Sequence, residues 1–412
     1  MQRYGEPVAY EQEITQNVTP LNGSSVPPAW WSDLFERASN ASILHAPAWM
    51  QSWLETYGHE FDGFWVHWDA GRMQVGGCLI LQRTVWHHRC PMSTVYLNTT
   101  EETSDGSPHM EYNGPLYVQG MRDVIAEKLA ALLVAKRWTR LVLTGYEESA
   151  IGPALLGKLP LLDTEHEPRL SRYIDLTAIA NNDYEATLSS KTRSQIRRSR
   201  HMYEAAYGPV TIDAPADAEE AIAFLTELAK LHNATWQSRG IKGAFECTAF
   251  TEFHHHLIRR LWPHRGAEVL RARAGERVIG YVYSFLLHGK VYCFQTGLVQ
   301  EPDKNLKPGM LAHALAIRHY CERGLREYDF LAGEVRYKRS MAKSYRTLLW
   351  STAFRQGAYS RLLLLARDLR RKFNALRRPG GTDAEDDEER APAAQPADVR
   401  PVSTTGAVAD AE

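Results

Sequence analysis

Residues 306–342 read LKPGMLAHALAIRHYCERGLREYDFLAGEVRYKRSMA, and the order of signals in this stretch sets the fold. Pro308-Gly309 opens a helix where the missing proline N–H costs nothing. The helix carries MLAHALAIRHYCER and stops at Gly324. A short apolar strand, EYDFLAG, follows, and then RYKRSMA. The amides of Gly309, Met310 and Leu311, with Lys307 beside them, would form an anion site at the positive end of the helix dipole, and a pyrophosphate suits it. The end of the strand gathers Asp329, Gly333, Glu334, Tyr337 and Lys338.

Upstream of this stretch lie helices over about 183–207, 217–239 and 249–261, then three strands (AEVLRA, RVIGYVYSFLLH and KVYCFQTGLV) separated by Ala274-Gly275-Glu276 and His288-Gly289 turns. The first part of the chain has the same order. A helix from Pro47 to Gly58 precedes strands between Phe61 and Leu97, a helix over about 121–137 and the strand LVLTG. Two copies of one mixed α/β pattern point to duplication. The expected organisation is a lead-in over 1–28, a first unit over 29–170, a second over 171–356, a basic amphipathic helix over 357–378 and a disordered acidic tail over 379–412.

The 412 residues are 44% hydrophobic and 24% charged, with net charge −1, which excludes collagenous, coiled-coil and globally basic nucleic-acid-coating chains. No apolar run nears the roughly 20 residues that span a bilayer, and the N-terminus has no signal-peptide core, so a cytoplasmic protein is expected. Five scattered cysteines read as reduced thiols, and no metal site is expected: His254-His255-His256 point three ways on a helix.

Four stretches, 189–204, 228–245, 306–342 and the strand trio between the last two, resemble the GNAT acyltransferase superfamily. They are most similar to the branch that includes the BioF2-like acetyltransferase domain and is related to the Fem aminoacyl transferases. The pattern Leu-His-x-x-x-Trp-x-x-x-Gly with Asp-Phe-x-x-Gly-Glu-x-x-Tyr-Lys carries the likeness. The resemblance covers about 170–356 strongly and 45–165 weakly. It implies an α/β (mixed α+β) fold of two tandem GNAT-like units, each a mixed central sheet flanked by helices, the first degenerate. It also implies acetyl-coenzyme A or another acyl-coenzyme A as co-substrate. GNAT enzymes wrap the pyrophosphate with a Gly-x-Gly/Ala loop. This chain has KNLKPGML (304–311), with one glycine, which keeps an aminoacyl-tRNA donor open.

Acyl transfer to an amine needs a base, a proton donor for the leaving atom and positive charge near the oxyanion. From the strand-end cluster we expect Glu334 as base, Tyr337 as acid and Lys338 as stabiliser, with Asp329 beside them. Lys307, Gly309, Met310 and Leu311 are the expected donor-binding residues. Arg193 and Arg197, in a basic helical stripe, and His232, Trp236 and Arg239, at i, i+4, i+7, are expected to bind substrate, with His232 an alternative base. Glu111-Tyr112-Asn113 would join the acceptor cleft from the first unit. Three functions stay open. The first is an acyltransferase acting on a small-molecule or glycan-precursor amine (or hydroxyl); relatives of this branch are linked to surface polysaccharide and cell-envelope assembly. The second is a Fem-like aminoacyl-tRNA-dependent transferase, the one reading with a nucleic-acid partner, and the third an inactive scaffold. In the tail helix, Leu362, Leu365, Leu369, Phe373 and Leu376 form an apolar stripe, and seven basic residues face one acid over 361–378. Weak, salt-sensitive contact with the inner membrane face is expected there, against the alternative that the stripe packs on the second unit.

Overall fold

The computed structural model describes residues 13–377 apart from 88, 89, 105, 180 and 182. The expected acidic tail and the first twelve residues of the lead-in lie outside the described residues. In the first half the elements are β1 (Ile14–Pro20), α1 (Ala29–Arg37), α2 (Pro47–Tyr57), β2 (Asp62–Ala70), β3 (Met73–His87), β4 (Cys90–Leu97), β5 (Leu116–Tyr117), α3 (Arg122–Ala135), β6 (Arg140–Glu147), α4 (Ile151–Leu156) and β7 (Leu161–Asp175). The second half holds α5 (Ser190–Tyr207), β8 (Val210–Asp213), α6 (Ala218–Gln237), α7 (Thr248–Leu261), β9 (Ala267–Ala274), β10 (Arg277–Leu287), β11 (Lys290–Leu298), α8 (Pro308–Glu322), β12 (Glu327–Ala332), α9 (Arg336–Met341), β13 (Ser344–Arg355) and α10 (Ala358–Arg377).

All strands join one mixed 13-stranded sheet in the order β1-β2-β3-β4-β6-β13-β7-β12-β11-β10-β9-β8, with β5 on β3. The order mirrors itself about the β13–β7 pair. β4 with β6 and β11 with β12 are parallel, and the other neighbours are antiparallel. The duplication read in the sequence is thus visible as a symmetric sheet. It has one exchange: β7, which follows the first half, completes the sheet of the second, and β13, which follows the second, completes the first.

This exchange corrects two expected boundaries. A division at 170/171 cuts through β7, and the lead-in is no loose arm at Ile14–Pro20, which pairs along β2 from Ala70 to Phe64. Five strands, β1, β5, β7, β8 and β13, were not assigned from sequence. The expected helix from 183 starts at Ser190 instead, because the Ser189 side chain caps it through the Thr192 N–H.

The halves share a core. Trp49 of α2 meets Phe253 of α7 at 5.2 Å and Phe285 of β10 at 5.4 Å, edge to face. Beside it, Arg260 reaches Glu55 at 2.6 Å and Ser52 at 2.8 Å. The polar tie is Asp329, fully buried on β12. Its carboxylate accepts from Tyr112 of the first half, from Ser171 of β7 at 2.7 Å and from the Leu331 N–H at 2.8 Å. It also lies 3.0 Å from the Lys290 ammonium. These donors hold the carboxyl below its ordinary range despite burial, which acts the other way. Asp329→Ala removes the acceptor that four donors share, leaving Lys290 only Glu327 (3.2 Å) and Tyr112 only Ser171 (3.1 Å), and should cost about 3–5 kcal/mol by urea unfolding. Lost turnover at unchanged stability would contradict this structural role.

Candidate active site

β11 and β12 pair only over Lys290–Tyr292 and Glu327–Asp329, then part. Where they part a cleft of about 1710 Å³ opens, lined by the end of β11, the start of α8, α6, the segment after β7 and the segment 334–344. The equivalent mouth of the first half, past the β4–β6 pair, is filled by its own loop. Asn113 donates to the carbonyls of Leu97 (3.2 Å) and Thr99 (2.9 Å) and to Thr144 Oγ1 (3.1 Å), and Asn98 donates to the Gly114 carbonyl at 2.6 Å. The Tyr112 N–H bonds the Gly145 carbonyl at 2.6 Å. Gly145 has φ +58, and a Cβ there would lie 2.1 Å from the Met110 carbonyl oxygen, so the loop rests on bare backbone. The space left is about 10 Å³, at the lower limit for one water.

The start of α8 faces the open cleft. Lys307 is its N-cap without a side-chain cap, Pro308 has no N–H to give, and the Gly309 and Met310 amides sit in the first turn at the cleft wall. Ser199 of α5 accepts from the Lys307 N–H at 2.9 Å and fixes this corner. Leu311 is fully buried, so the expected donor site keeps Lys307, Gly309 and Met310 on the cleft and loses the Leu311 side chain to the core.

His232, Trp236 and Arg239 all reach the cleft, as their helical spacing implied, with the Arg239 guanidinium over the Trp236 ring at 5.4 Å. Burial lowers His232 to about 4 against a backbone hydrogen bond to Thr296, so the imidazole is neutral. α6 can sit this close because residue 297 is glycine: a Cβ there would lie 2.3 Å from the Leu228 carbonyl oxygen. Tyr337 also lines the cleft, stacked on His313 (5.3 Å, 16°), and burial pushes its hydroxyl upward, so it stays protonated.

The other expected catalytic residues are differently placed. Asp329 is the internal tie described above and is not among the cleft-lining residues. Lys338 is buried, with its ammonium on the carbonyls of Leu331 (3.0 Å) and Ala332 (2.9 Å), so it clamps the turn after β12. Burial lowers its pKa. Glu334 lines the cleft but lies ahead of α9, after Gly333 at φ +111, and so makes no helical i, i+4 step to Lys338. It is bound by Arg172 at 2.7 Å and lies 3.7 Å from Arg339, a poor free base. Arg193 bonds the Ala186 carbonyl and Arg197 lies 3.7 Å from Glu185, both outside the cleft; Lys191, Thr192 and Gln195 of α5 line it instead. Glu111 accepts from the Ala332 N–H at 2.8 Å and Tyr112 bonds Asp329, so the Glu111-Tyr112-Asn113 loop docks the two halves and does not enter the cleft.

Two features escaped sequence reading. His313 lies within the apolar run LAHALA, yet it lines the cleft, bonds Tyr328 at 3.0 Å and is lowered by burial to about 3. A lone polar residue on the buried face of an apolar helix was the available signal. The second feature is charge: Lys191, Arg239, Lys307, Arg336, Arg339 and Lys343 line the cleft against Asp175 and Glu334. Asp175 caps Thr177 and Glu334 is paired, so the cleft favours an anionic ligand. Among the described residues no group of His, Cys, Asp and Glu could hold a metal ion.

Residues 190–339, most of the second half, match the family described as an acetyltransferase (GNAT) domain. A search of curated proteins finds no match. Among solved structures the chain is similar to FemX, with TM-score 0.51 and 10% identity over 78% of this chain and 94% of that one. It is also similar to L-PGS from Bacillus licheniformis (TM-score 0.49, 10% identity, 84% and 98%) and to a tandem GNAT protein from the clavulanic acid pathway (0.41, 15%, 82% and 98%). At 10% identity the likeness to FemX is one of fold.

Gly297→Ala should push α6 off β11, costing about 1–3 kcal/mol by overpacking and displacing His232 and Trp236. A raised KM at a modestly lowered melting temperature checks this. A second outcome concerns acid. His45, His232 and His313 are neutral when folded, at about 4, about 4 and about 3, against 6.5 when free. Between pH 6.5 and about 4 the unfolded chain therefore binds more protons, and stability falls with pH at up to about 1.4 kcal/mol per pH unit for each group. Glu111, raised to about 7 by burial, opposes this between 7 and 4.5, and His109, raised by its bond to Glu101, opposes it too. Burial lowers His67, His254 and His255 as well, so the lowered histidines outnumber them. The urea midpoint should drop from pH 6.5 to 5, and a steady or rising midpoint would contradict the neutral histidines.

Proposed function

We propose that the protein is an acyltransferase that moves an acyl group, most simply acetyl, from acyl-coenzyme A to the amine of a small-molecule or glycan-precursor acceptor. The observation that carries this reading is the uncapped start of α8 opening on the cleft where β11 and β12 part, because it offers backbone N–H groups and a helix dipole to a pyrophosphate. The six cations of the wall would serve the remaining phosphate charge. The amine nitrogen attacks the thioester carbonyl; a C–N bond forms and the C–S bond breaks. Neutral His232 takes the proton that the amine nitrogen sheds as the C–N bond forms, and the Tyr337 hydroxyl protonates the departing thiolate. The proton held on His232 then returns to Tyr337, so that one proton has moved from nitrogen to sulfur. The free cysteines support a reducing setting, and we place the activity in the cytoplasm.

A second reading, an aminoacyl-tRNA donor, is favoured by one observation: 1710 Å³ exceeds the roughly 300–1,000 Å³ of small-molecule sites. There the same attack would break a C–O ester bond. Calorimetric titration of the full chain with coenzyme A separates the two. Micromolar binding, weakened about tenfold or more by Lys307→Glu and by Arg239→Glu, is expected. No binding of coenzyme A, with binding of charged tRNA, would replace the first reading by the second. No binding of either would leave a scaffold.

A further inference from the structure

We propose that α10 and the adjoining β3–β4 hairpin form a docking surface for an anionic lipid membrane. Three leucines of α10, Leu362, Leu365 and Leu369, are 65%, 60% and 67% exposed, at i, i+3, i+7 along one stripe. At these three positions the alternative that the stripe packs on the second unit is therefore overturned. The helix is held by other residues. Arg367 binds Asp163 at 3.1 Å and Glu165 at 2.6 Å on β7, and Ser360 is buried. The Tyr359 hydroxyl donates to the Pro91 carbonyl at 2.7 Å. A helix fastened this way keeps its leucines turned to solvent.

The hairpin brings a second apolar group to the same place. Trp86, 59% exposed, pairs with Pro91 across β3 and β4, and Pro91 is the residue that Tyr359 grips. Tryptophan, tyrosine and a leucine stripe in one exposed region are the groups that partition into the headgroup layer. No helix among the described residues is long and apolar enough to cross a membrane, so the contact is peripheral.

Charge decides the occupant. Besides Arg367, the α10 sequence carries Arg361, Arg370, Arg371, Lys372 and Arg377 against Asp368 alone. A second copy would bring the same positive charge to the contact. The chain's own acidic stretch, TDAEDDEER (382–390), has the right sign but no large apolar residue to cover leucines. An anionic bilayer supplies both negative charge and apolar depth, with roughly 1 kcal/mol for each basic residue near the surface. The patch also leaves the cleft free. Ser344 lines the cleft at one end of β13 and α10 begins past the other, about 40 Å away along twelve residues of strand.

The test is co-sedimentation of the full chain with phosphatidylglycerol vesicles and with neutral phosphatidylcholine vesicles, at low and high salt. The expected result is binding to phosphatidylglycerol alone, at least about tenfold weaker at high salt and in Leu362→Glu/Leu365→Glu/Leu369→Glu. All three positions are exposed, so this variant should keep its melting temperature. A second full-length variant, with the carboxylates of 383–389 as amides, removes competition by the tail. Equal or negligible pelleting of the native chain, the leucine variant and the amide variant overturns the proposal. Leucine-dependent dimers in light scattering, without vesicle binding, overturn it in favour of a second copy.

Discussion

A buried carboxylate shapes the working end of this protein. β12 follows β11 only as far as Asp329, and past it bulges against β7 before Ala332. Asp329 holds the strand where the two part, taking donors from the first half, from β7 and from its own turn. Beyond it, Lys338 fixes the carbonyls of Leu331 and Ala332, and Glu111 takes the Ala332 amide. The wall carrying Tyr337 and the cations therefore stands on a network that contacts no part of the cleft interior. Pairing a charge this deeply is costly in itself, and its return is geometric.

The two halves show how one framework gives an open and a closed mouth. Both part their parallel strands after three paired residues. In the first half asparagine side chains stitch the 98–114 loop into the gap, with Gly145 admitting its backbone. In the second, Gly297 admits α6 from the side and leaves the gap open, with imidazoles and six cations along its walls.

The longer helices were legible through their end signals, with Pro47, Pro308, Gly240 and Gly324 where the chain turns, whereas the shorter α1 and α4 were not assigned. Trp236 and Arg239 were placed from spacing alone. The central strands were not legible. In β7, LLDTEHEPRLSRYID, only Ser171 is buried, so the strand is held by hydrogen-bond ladders on both edges and shows no apolar alternation. Nothing in β13 says that it returns to the first half. Asp329 and Lys338 were expected in the catalytic cluster and neither lines the cleft, because a sequence does not tell which side of a strand end faces the ligand. Both turn inward, while His313, hidden in an apolar helix, turns out.

The strand exchange has a consequence in time. β6 gains its second neighbour only when β13 arrives, about 200 residues after Glu147. At the pace of translation, about 5–20 residues per second, that interval is roughly 10 to 40 s. Throughout it the nascent first half carries an open sheet edge, which is a template for pairing with other chains. β7 waits alongside, already made and without a partner until β12 and β13 follow it out of the ribosome. The last strand to be synthesised is thus the one that seals the first half, and a chain cut short before Arg355 leaves both halves unfinished.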